Sequence, residues 1–166
     1  FGMEYFLSDA LIVSVNVVEP FVLGGLGDDM VPLINNTTIG GVPLMDFLKL
    51  KNFPYSKIEK IVNRTRMGGG EIVKLLKRGS AFYAPASSAI QMAEAFLFDQ
   101  KKLLPCAAFI NGQYGLSNMY MGVPTIIGKK GIEKIIEVKL TSKEKLMLKK
   151  SVKSVQGLVS AVDKLL

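Results

Sequence analysis

The segment that most resembles a ligand-binding loop is Leu23-Gly24-Gly25-Leu26-Gly27-Asp28-Asp29. Three glycines within four positions let a backbone turn sharply or approach a ligand closely. Their spacing differs from G-x-G-x-x-G and no long helix follows at once, so a dinucleotide-binding loop is not indicated. A strand end followed by a turn is the simpler interpretation. Adjacent carboxylates in such a turn are more typical of solvated residues than of metal ligands.

A second candidate is the run of small residues GSAFYAPASSA, residues 79–89. Pro85 suits the first turn of a helix, where its missing N–H does no harm. Small residues at a helix start leave backbone N–H groups open to an anion. They equally allow tight packing of a neighbouring helix, and the sequence leaves both interpretations open.

Histidine is absent from the 166 residues, and Cys106 is the only cysteine. This composition excludes Ser-His-Asp triads, Cys-His dyads and His-ligated metals. We therefore expect no metal site. One cysteine cannot form an internal disulfide, which favours a reducing compartment. Cys106 lies in an apolar segment with no group nearby that would lower its pKa, so we expect a buried, inert thiol.

The composition is that of a folded domain: 49% hydrophobic and 21% charged residues exclude disorder. The length predicts one domain, residues 1–166, or two very small ones. The mean hydropathy of +0.31 suggests apolar surface meant for another domain or subunit. No secretory signal or membrane span is expected, because the longest uncharged stretch, residues 103–128, is rich in turn residues.

The net charge of +7 permits a polyanionic partner without requiring one. Six lysines fall in the C-terminal segment from residue 141 onward, where no arginine or aromatic residue accompanies them. Such lysines usually form a solvated helix face. Nucleic-acid binding would favour arginines interleaved with aromatic residues, so no nucleic-acid partner is expected.

Hydrophobic periodicity predicts an α+β fold with antiparallel strands packed against long helices. Two capping boxes, Ser56–Glu59 and Thr141–Glu144, predict helix starts. The first helix would continue through a weak or kinked middle at Gly68–Gly70 to Gly79. The remaining predicted elements are a helix within 5–18, a strand at 21–25, strand segments within 30–44 turning at Gly40-Gly41, a helix from Ala84-Pro85 to about Phe98, strands at 104–112, 119–128 and 132–140, and an amphipathic closing helix carrying Leu148, Val152, Val155, Val159, Val162 and Leu166.

Ordered motifs extend this interpretation. They are FVLGGLGDDMVPL (21–33), RTRMGGGEIVKLLKRGSAFYAPASSA (64–89), LPCAAFINGQYG (104–115), YMGVPTIIGKKGIEKIIEV (120–138) and the capped closing helix. Together they closely resemble the C-terminal half of malate dehydrogenase, of the lactate-dehydrogenase-like branch found in alphaproteobacteria and apicomplexans. The resemblance implies the α+β C-terminal fold of lactate and malate dehydrogenases. It further implies a family reaction of the tricarboxylic acid cycle, malate with NAD to oxaloacetate with NADH. The NAD-binding Rossmann half of the family is absent from the 166 residues.

The resemblance also implies where the family's site residues fall. By this resemblance, Leu26 occupies the position of the proton-transferring histidine, and Gly2 that of the substrate-clamping arginine. The residues that line the substrate cleft by resemblance are Gly25, Asp28, Met30, Ser80 and Ala81. No catalytic residue would be intact, and this chain alone would bind no NAD.

Three functions remain open. In the first, the chain is a malate dehydrogenase C-terminal domain, truncated or degenerate, that keeps the fold without catalysis. Alternatively, it is a recruited pseudoenzyme that serves as a structural or assembly subunit of a larger complex. The third is a basic nucleic-acid-binding module, which would require salt-dependent binding. The expected partners are a second copy or the missing Rossmann half, with a small dicarboxylate as the family's substrate. The expected location is the cytoplasm, or the mitochondrion in a eukaryote.

Overall fold

A computed structural model describes residues 2–165, in which five α-helices and eight β-strands are connected by short loops. In chain order the elements are α1 (Gly2–Leu11), β1 (Val18–Glu19), β2 (Val22–Leu23), β3 (Val31–Pro32), β4 (Thr38–Ile39), β5 (Val42–Pro43), α2 (Leu44–Leu50), α3 (Tyr55–Leu76), α4 (Tyr83–Leu97), β6 (Lys102–Asn111), β7 (Ser117–Gly128), β8 (Gly131–Ile135) and α5 (Ser142–Asp163). The α+β class predicted from the sequence is confirmed.

The chain divides into two compact units. The first comprises the described residues up to Phe21 together with Pro32–Ala84. The second comprises Val22–Val31 and the chain from Pro85 onward. The short segment Val22–Val31 therefore belongs with residues much later in the chain, and it contains the glycine-rich loop.

The first unit is built on the contact between α1 and α3. Met3, Leu7 and Leu11 repeat every four residues along α1 and are all buried, as expected for one apolar stripe of a helix. A small antiparallel sheet, in the order β1-β4-β5, completes this unit together with α2. Gly40 and Gly41, with φ of +57° and +80°, form the turn from β4 to β5 that the sequence predicted.

The capping box predicted at Ser56–Glu59 is wrong. Helix α3 begins at Tyr55, and its N-cap is Pro54 in an extended conformation without a side-chain cap. Ser56 is therefore the second helical residue and cannot serve as the N-cap. Pro54, with its fixed φ, is the last extended residue, so α3 begins two residues earlier than it would with Ser56 as the N-cap. From this start α3 runs continuously through the three glycines to Leu76.

The second unit contains the antiparallel sheet β6-β7-β8. Cys106 on β6 lies opposite Val123 on β7, and burial along β6 alternates residue by residue. The buried side of this sheet meets α4, where Ala95 clusters with Leu104, Cys106 and Ile127. The buried thiol predicted at Cys106 is confirmed, and this burial raises its pKa.

The predicted strand over 132–140 is wrong in its second half. Strand β8 ends at Ile135. Beyond it, the N–H of Val138 donates to the Tyr114 hydroxyl at 3.0 Å, and the hydroxyl donates to the carbonyl of Ile136 at 3.2 Å. One carbonyl and one N–H beyond Ile135 are thus bonded by a side chain from the β6–β7 connection, whereas the Ile136 N–H still donates to the Pro124 carbonyl of β7 at 2.8 Å.

Helix α5 begins with the capping box predicted at Thr141 and Glu144. The Glu144 N–H donates to the Thr141 hydroxyl at 3.2 Å, and the Thr141 N–H donates to the Glu144 carboxylate at 2.8 Å. Leu148 and Val152 of the predicted apolar stripe are buried. Later members of the stripe are half exposed, with Val159 at 50% and Val162 at 53%, and Leu166 lies outside the described residues.

Candidate functional site

The glycine-rich segment forms the loop between β2 and β3. Gly24 and Gly27 both have φ of +93°, a conformation that disfavours side chains. The loop closes on itself where the Met30 N–H donates to the Gly27 carbonyl at 3.0 Å. The glycines at these two positions are therefore required by the backbone path, and the predicted strand end and turn are confirmed.

A close backbone contact fixes the start of this loop. Gly24 and Gly122 of β7 form an isolated antiparallel bridge. The Gly24 N–H donates to the Gly122 carbonyl at 2.9 Å, and the Gly122 N–H donates back at 3.0 Å. A Cβ on Gly122 would lie 2.6 Å from the Gly24 carbonyl oxygen, which no real Cβ tolerates. Gly122 is thus needed for the two backbones to meet.

A buried serine on α5 holds the next residue of the loop. The Gly25 N–H donates to the Ser151 hydroxyl at 2.8 Å, and Ser151 is fully buried. A Cβ on Gly25 would lie 3.1 Å from a methyl group of Val155. Ser151 was not predicted from the sequence, although its position three residues after Leu148 and four before Val155 put a hydroxyl on an apolar stripe. Gly122 was not predicted either, and the available signal was a glycine within a strand.

The apex of the fixed loop presents an aliphatic side chain. Leu26 is 97% exposed, and Asp28 is also exposed. Asp29 instead forms an ion pair with Lys150 of α5, with a separation of 3.4 Å. The loop therefore directs Leu26 into open space, and an alkyl side chain has no proton to donate to a ligand.

The other predicted site residues lie elsewhere in the chain. Gly25, Leu26, Asp28 and Met30 share the β2–β3 loop in the second unit, whereas Gly2, Ser80 and Ala81 belong to the first. Gly2 is exposed at the start of α1, and a Cβ there would be 3.9 Å from the Phe6 ring, an ordinary contact. Position 2 thus accommodates a Cβ without a close contact.

Residues Ser80 and Ala81 connect α3 to α4. They follow Gly79, whose φ is +82°. Ser80 is exposed and Ala81 is partly exposed. Small side chains at these two positions leave space for a ligand or for another chain.

Two further searches covered residues 2–165. Within that range, no three His, Cys, Asp or Glu side chains are grouped so that they could hold a metal ion. None of the helices in the same range combines the length and apolar character needed to cross a bilayer.

Comparison with protein families gives a match over nearly the whole chain. Residues 3–164 match the family model described as the lactate/malate dehydrogenase, alpha/beta C-terminal domain. Among solved structures, malate dehydrogenase from Cryptosporidium parvum is 47% identical with a TM-score of 0.95. Lactate dehydrogenase from Eimeria maxima, solved with NADH and oxamate, is 43% identical with a TM-score of 0.93. Malate dehydrogenase from Salinibacter ruber is 43% identical with a TM-score of 0.91.

These matches cover 98% of the present chain in each case but only 51–52% of the relatives' chains. The chain therefore spans about half the length of the structures it matches.

Proposed function

Because the chain belongs to the lactate/malate dehydrogenase family, as its α/β C-terminal domain, we propose that it is the substrate-side half of a malate dehydrogenase and does not catalyse the reaction by itself. The observation that carries this proposal is Leu26 at the apex of the β2–β3 loop. The loop is fixed by Gly122 and Ser151, yet its outward side chain is aliphatic. The proposed role is therefore binding and assembly without proton transfer.

Reduction of oxaloacetate requires a hydride at the carbonyl carbon and a proton at the carbonyl oxygen. NADH supplies the hydride when it is bound, and the resemblance assigns the proton to a histidine at position 26. Leucine cannot donate or accept this proton. Loss of a general acid costs about 10²–10⁴ in rate. With Leu26, the alkoxide that forms would have to take its proton from water.

Substrate binding is proposed to be weakened as well. The resemblance places the arginine that clamps the substrate carboxylate at position 2, where this chain has Gly2. Charge-assisted hydrogen bonds from such an arginine contribute roughly 1.5–3 kcal/mol each. The resemblance assigns the cleft lining to Gly25, Asp28 and Met30 on one segment and to Ser80 and Ala81 on another, and none of these residues is a cation.

The cofactor is assigned to the other half of the family's chain. By resemblance, NAD binds a Rossmann domain that corresponds to the part of the relatives that this chain does not match. We propose that the 166 residues alone bind no NAD. The proposed compartment is the cytoplasm, or the mitochondrion in a eukaryotic source.

A second candidate function is a recruited pseudoenzyme that acts as a structural or assembly subunit. It is favoured by exposed aromatic and aliphatic side chains on and next to α4, where Tyr83 is 81% exposed and Leu97 and Phe98 are each 71% exposed. Apolar side chains exposed in this way are suited to contact with another chain. We propose that they bind a second copy or a partner.

Two measurements test these proposals. Malate-dependent NAD reduction by the purified chain should not exceed a blank without protein. Turnover above the blank that survives repurification would overturn the inactive domain. Native mass spectrometry of the protein purified from its source distinguishes the two candidates. A fixed stoichiometry with unrelated chains supports the structural subunit, and association with a Rossmann half supports the dehydrogenase domain.

A further inference from the structure

A cavity of about 540 Å³ opens in the second unit, and its lining includes none of the described residues of the β2–β3 loop. It lies between the connection of β6 to β7, the segment after β8 and the first turns of α5. Clefts of roughly 300–1,000 Å³ accommodate small organic ligands. The proposed dehydrogenase function assigns nothing to this cavity.

The floor of the cavity is apolar. Leu148 and Val152 of α5 are each 7% exposed, and they are joined by Leu140 and Val138 from the segment after β8. Leu116 adds an aliphatic group from the β6–β7 connection. A ligand that entered the cavity would therefore bury an apolar body against branched aliphatic side chains.

The walls are held in place before any ligand binds. Tyr114 spans them, because its hydroxyl accepts from the Val138 N–H at 3.0 Å and donates to the Ile136 carbonyl at 3.2 Å. The Tyr114 N–H also donates to the Glu137 carboxylate at 2.7 Å. These bonds join the two chain segments on either side of the cavity, so little conformational entropy would be lost in ordering them when a ligand binds.

The rim of the cavity is positively charged. Lys139, Lys145 and Lys149 line it, and their side chains are exposed. In the part of the chain that the structure describes, no carboxylate forms an ion pair with these three ammonium groups. Glu137 is the single carboxylate in the lining, and Tyr114 already uses it. Three cations against one anion leave the rim with a net positive charge.

From this arrangement we infer that the cavity binds an amphipathic anion, an aliphatic body with a carboxylate at one end. The apolar floor takes the aliphatic body, and the three lysines at the rim take the carboxylate. A fully polar anion would leave the floor unfilled, and a neutral aliphatic molecule would leave the lysines unpaired. The cavity therefore selects ligands that carry both features.

Three probes separate these contributions: octanoate, 1-octanol and acetate. They are titrated at pH 7, with octanoate below its micelle concentration, into the full 166-residue chain with ¹³C-labelled leucine and valine methyl groups. We expect octanoate to shift the methyl signals of Leu140, Leu148 and Val152 and to saturate. We expect 1-octanol to bind the same methyl groups at least about fivefold more weakly, and acetate to cause no shift. The dispersion of the methyl signals reports in the same spectra that the chain is folded.

Charge-reversed variants test the rim. The double variant Lys145→Glu, Lys149→Glu should weaken octanoate binding at least about fivefold and leave 1-octanol binding unchanged. The control is Lys164→Glu, which lies 15 residues beyond Lys149 and hence about 22 Å further along the helix; it should change neither. Equal affinity for octanoate and 1-octanol would overturn the inference. So would octanoate shifts confined to methyl groups outside the cavity, the absence of any shift, or undiminished octanoate binding by the double variant.

Discussion

Replacing Gly122 with alanine should destabilise the second unit, whereas the same replacement at Gly69 should stabilise α3. At Gly122 the new Cβ would lie 2.6 Å from the Gly24 carbonyl oxygen, which is backbone and cannot rotate away. The strands must separate and lose two hydrogen bonds, of 2.9 and 3.0 Å. At about 0.5–1.5 kcal/mol each, their loss costs about 1–3 kcal/mol.

The glycine at position 69 provides a matched control. A Cβ there meets no atom within 4 Å, and the residue lies within the continuous helix α3. Alanine in a helix interior is favoured over glycine by about 0.5–1 kcal/mol. The two variants should therefore shift the free energy of unfolding in opposite directions, with Gly122→Ala lower by about 1–3 kcal/mol.

Urea unfolding followed by far-ultraviolet circular dichroism measures both shifts. Amide hydrogen exchange adds a local test, because the Gly24 amide should lose protection in Gly122→Ala and keep it in Gly69→Ala. A Gly122→Ala protein as stable as the wild type, with the Gly24 amide still protected, would refute the close backbone contact and with it the fixed loop.

Two further predictions concern a buried hydroxyl and an exposed charge cluster. Ser151→Ala leaves the Gly25 N–H without its partner at 2.8 Å, so the free energy of unfolding measured in urea should fall by about 1–3 kcal/mol. Ser154 is exposed on the same helix, and Ser154→Ala should change this free energy by less than about 0.5 kcal/mol. Equal effects of the two variants would contradict the role of Ser151. Lys101 bonds the carboxylates of Asp99 and Glu133 and lowers their pKa values below 3.8 and 4.5, respectively. The stabilisation by these ion pairs is complete above those values and is lost as the pH falls through the lowered pKa values. Between about pH 5 and pH 2, the free energy of unfolding of Lys101→Met should therefore fall less steeply than that of the wild type, and parallel curves would contradict this.

Local signals predicted the elements whose stabilising contacts are close in the sequence. The Thr141–Glu144 capping box is a contact between residues three positions apart, so the start of α5 could be predicted from the local sequence alone. The same pattern failed at Ser56, because Pro54 had already set the start of α3. The strand predicted at 132–140 ends early because the Tyr114 hydroxyl, more than twenty residues earlier in the chain, bonds the Ile136 carbonyl and the Val138 N–H.

The candidate loop was identified from its glycines, but the residues that hold it were not. Gly25 and Ser151 are separated by 126 positions, and no local pattern links a loop to a serine on a distant helix. Gly122 looked like an ordinary strand residue until its partner was known. Sequence reasoning thus located the loop and the aliphatic residue at its apex, whereas the contacts that fix it required the three-dimensional structure.

The central claim is that the chain lacks catalysis because of Leu26 and Gly2, as proposed above, and not because of its loop, which is fixed. It is tested most directly by the rate of NADH oxidation with oxaloacetate, with the remaining half of the Cryptosporidium parvum enzyme supplied as a fusion. Leu26 is 97% exposed, and a Cβ at Gly2 makes an ordinary contact at 3.9 Å. Because the two side chains would act in one transition state, we predict no measurable rate for the wild type, Leu26→His or Gly2→Arg, and a measurable rate for the double variant. A wild-type fusion that reduces oxaloacetate, or a double variant that folds and binds NADH but remains inactive, would contradict the claim.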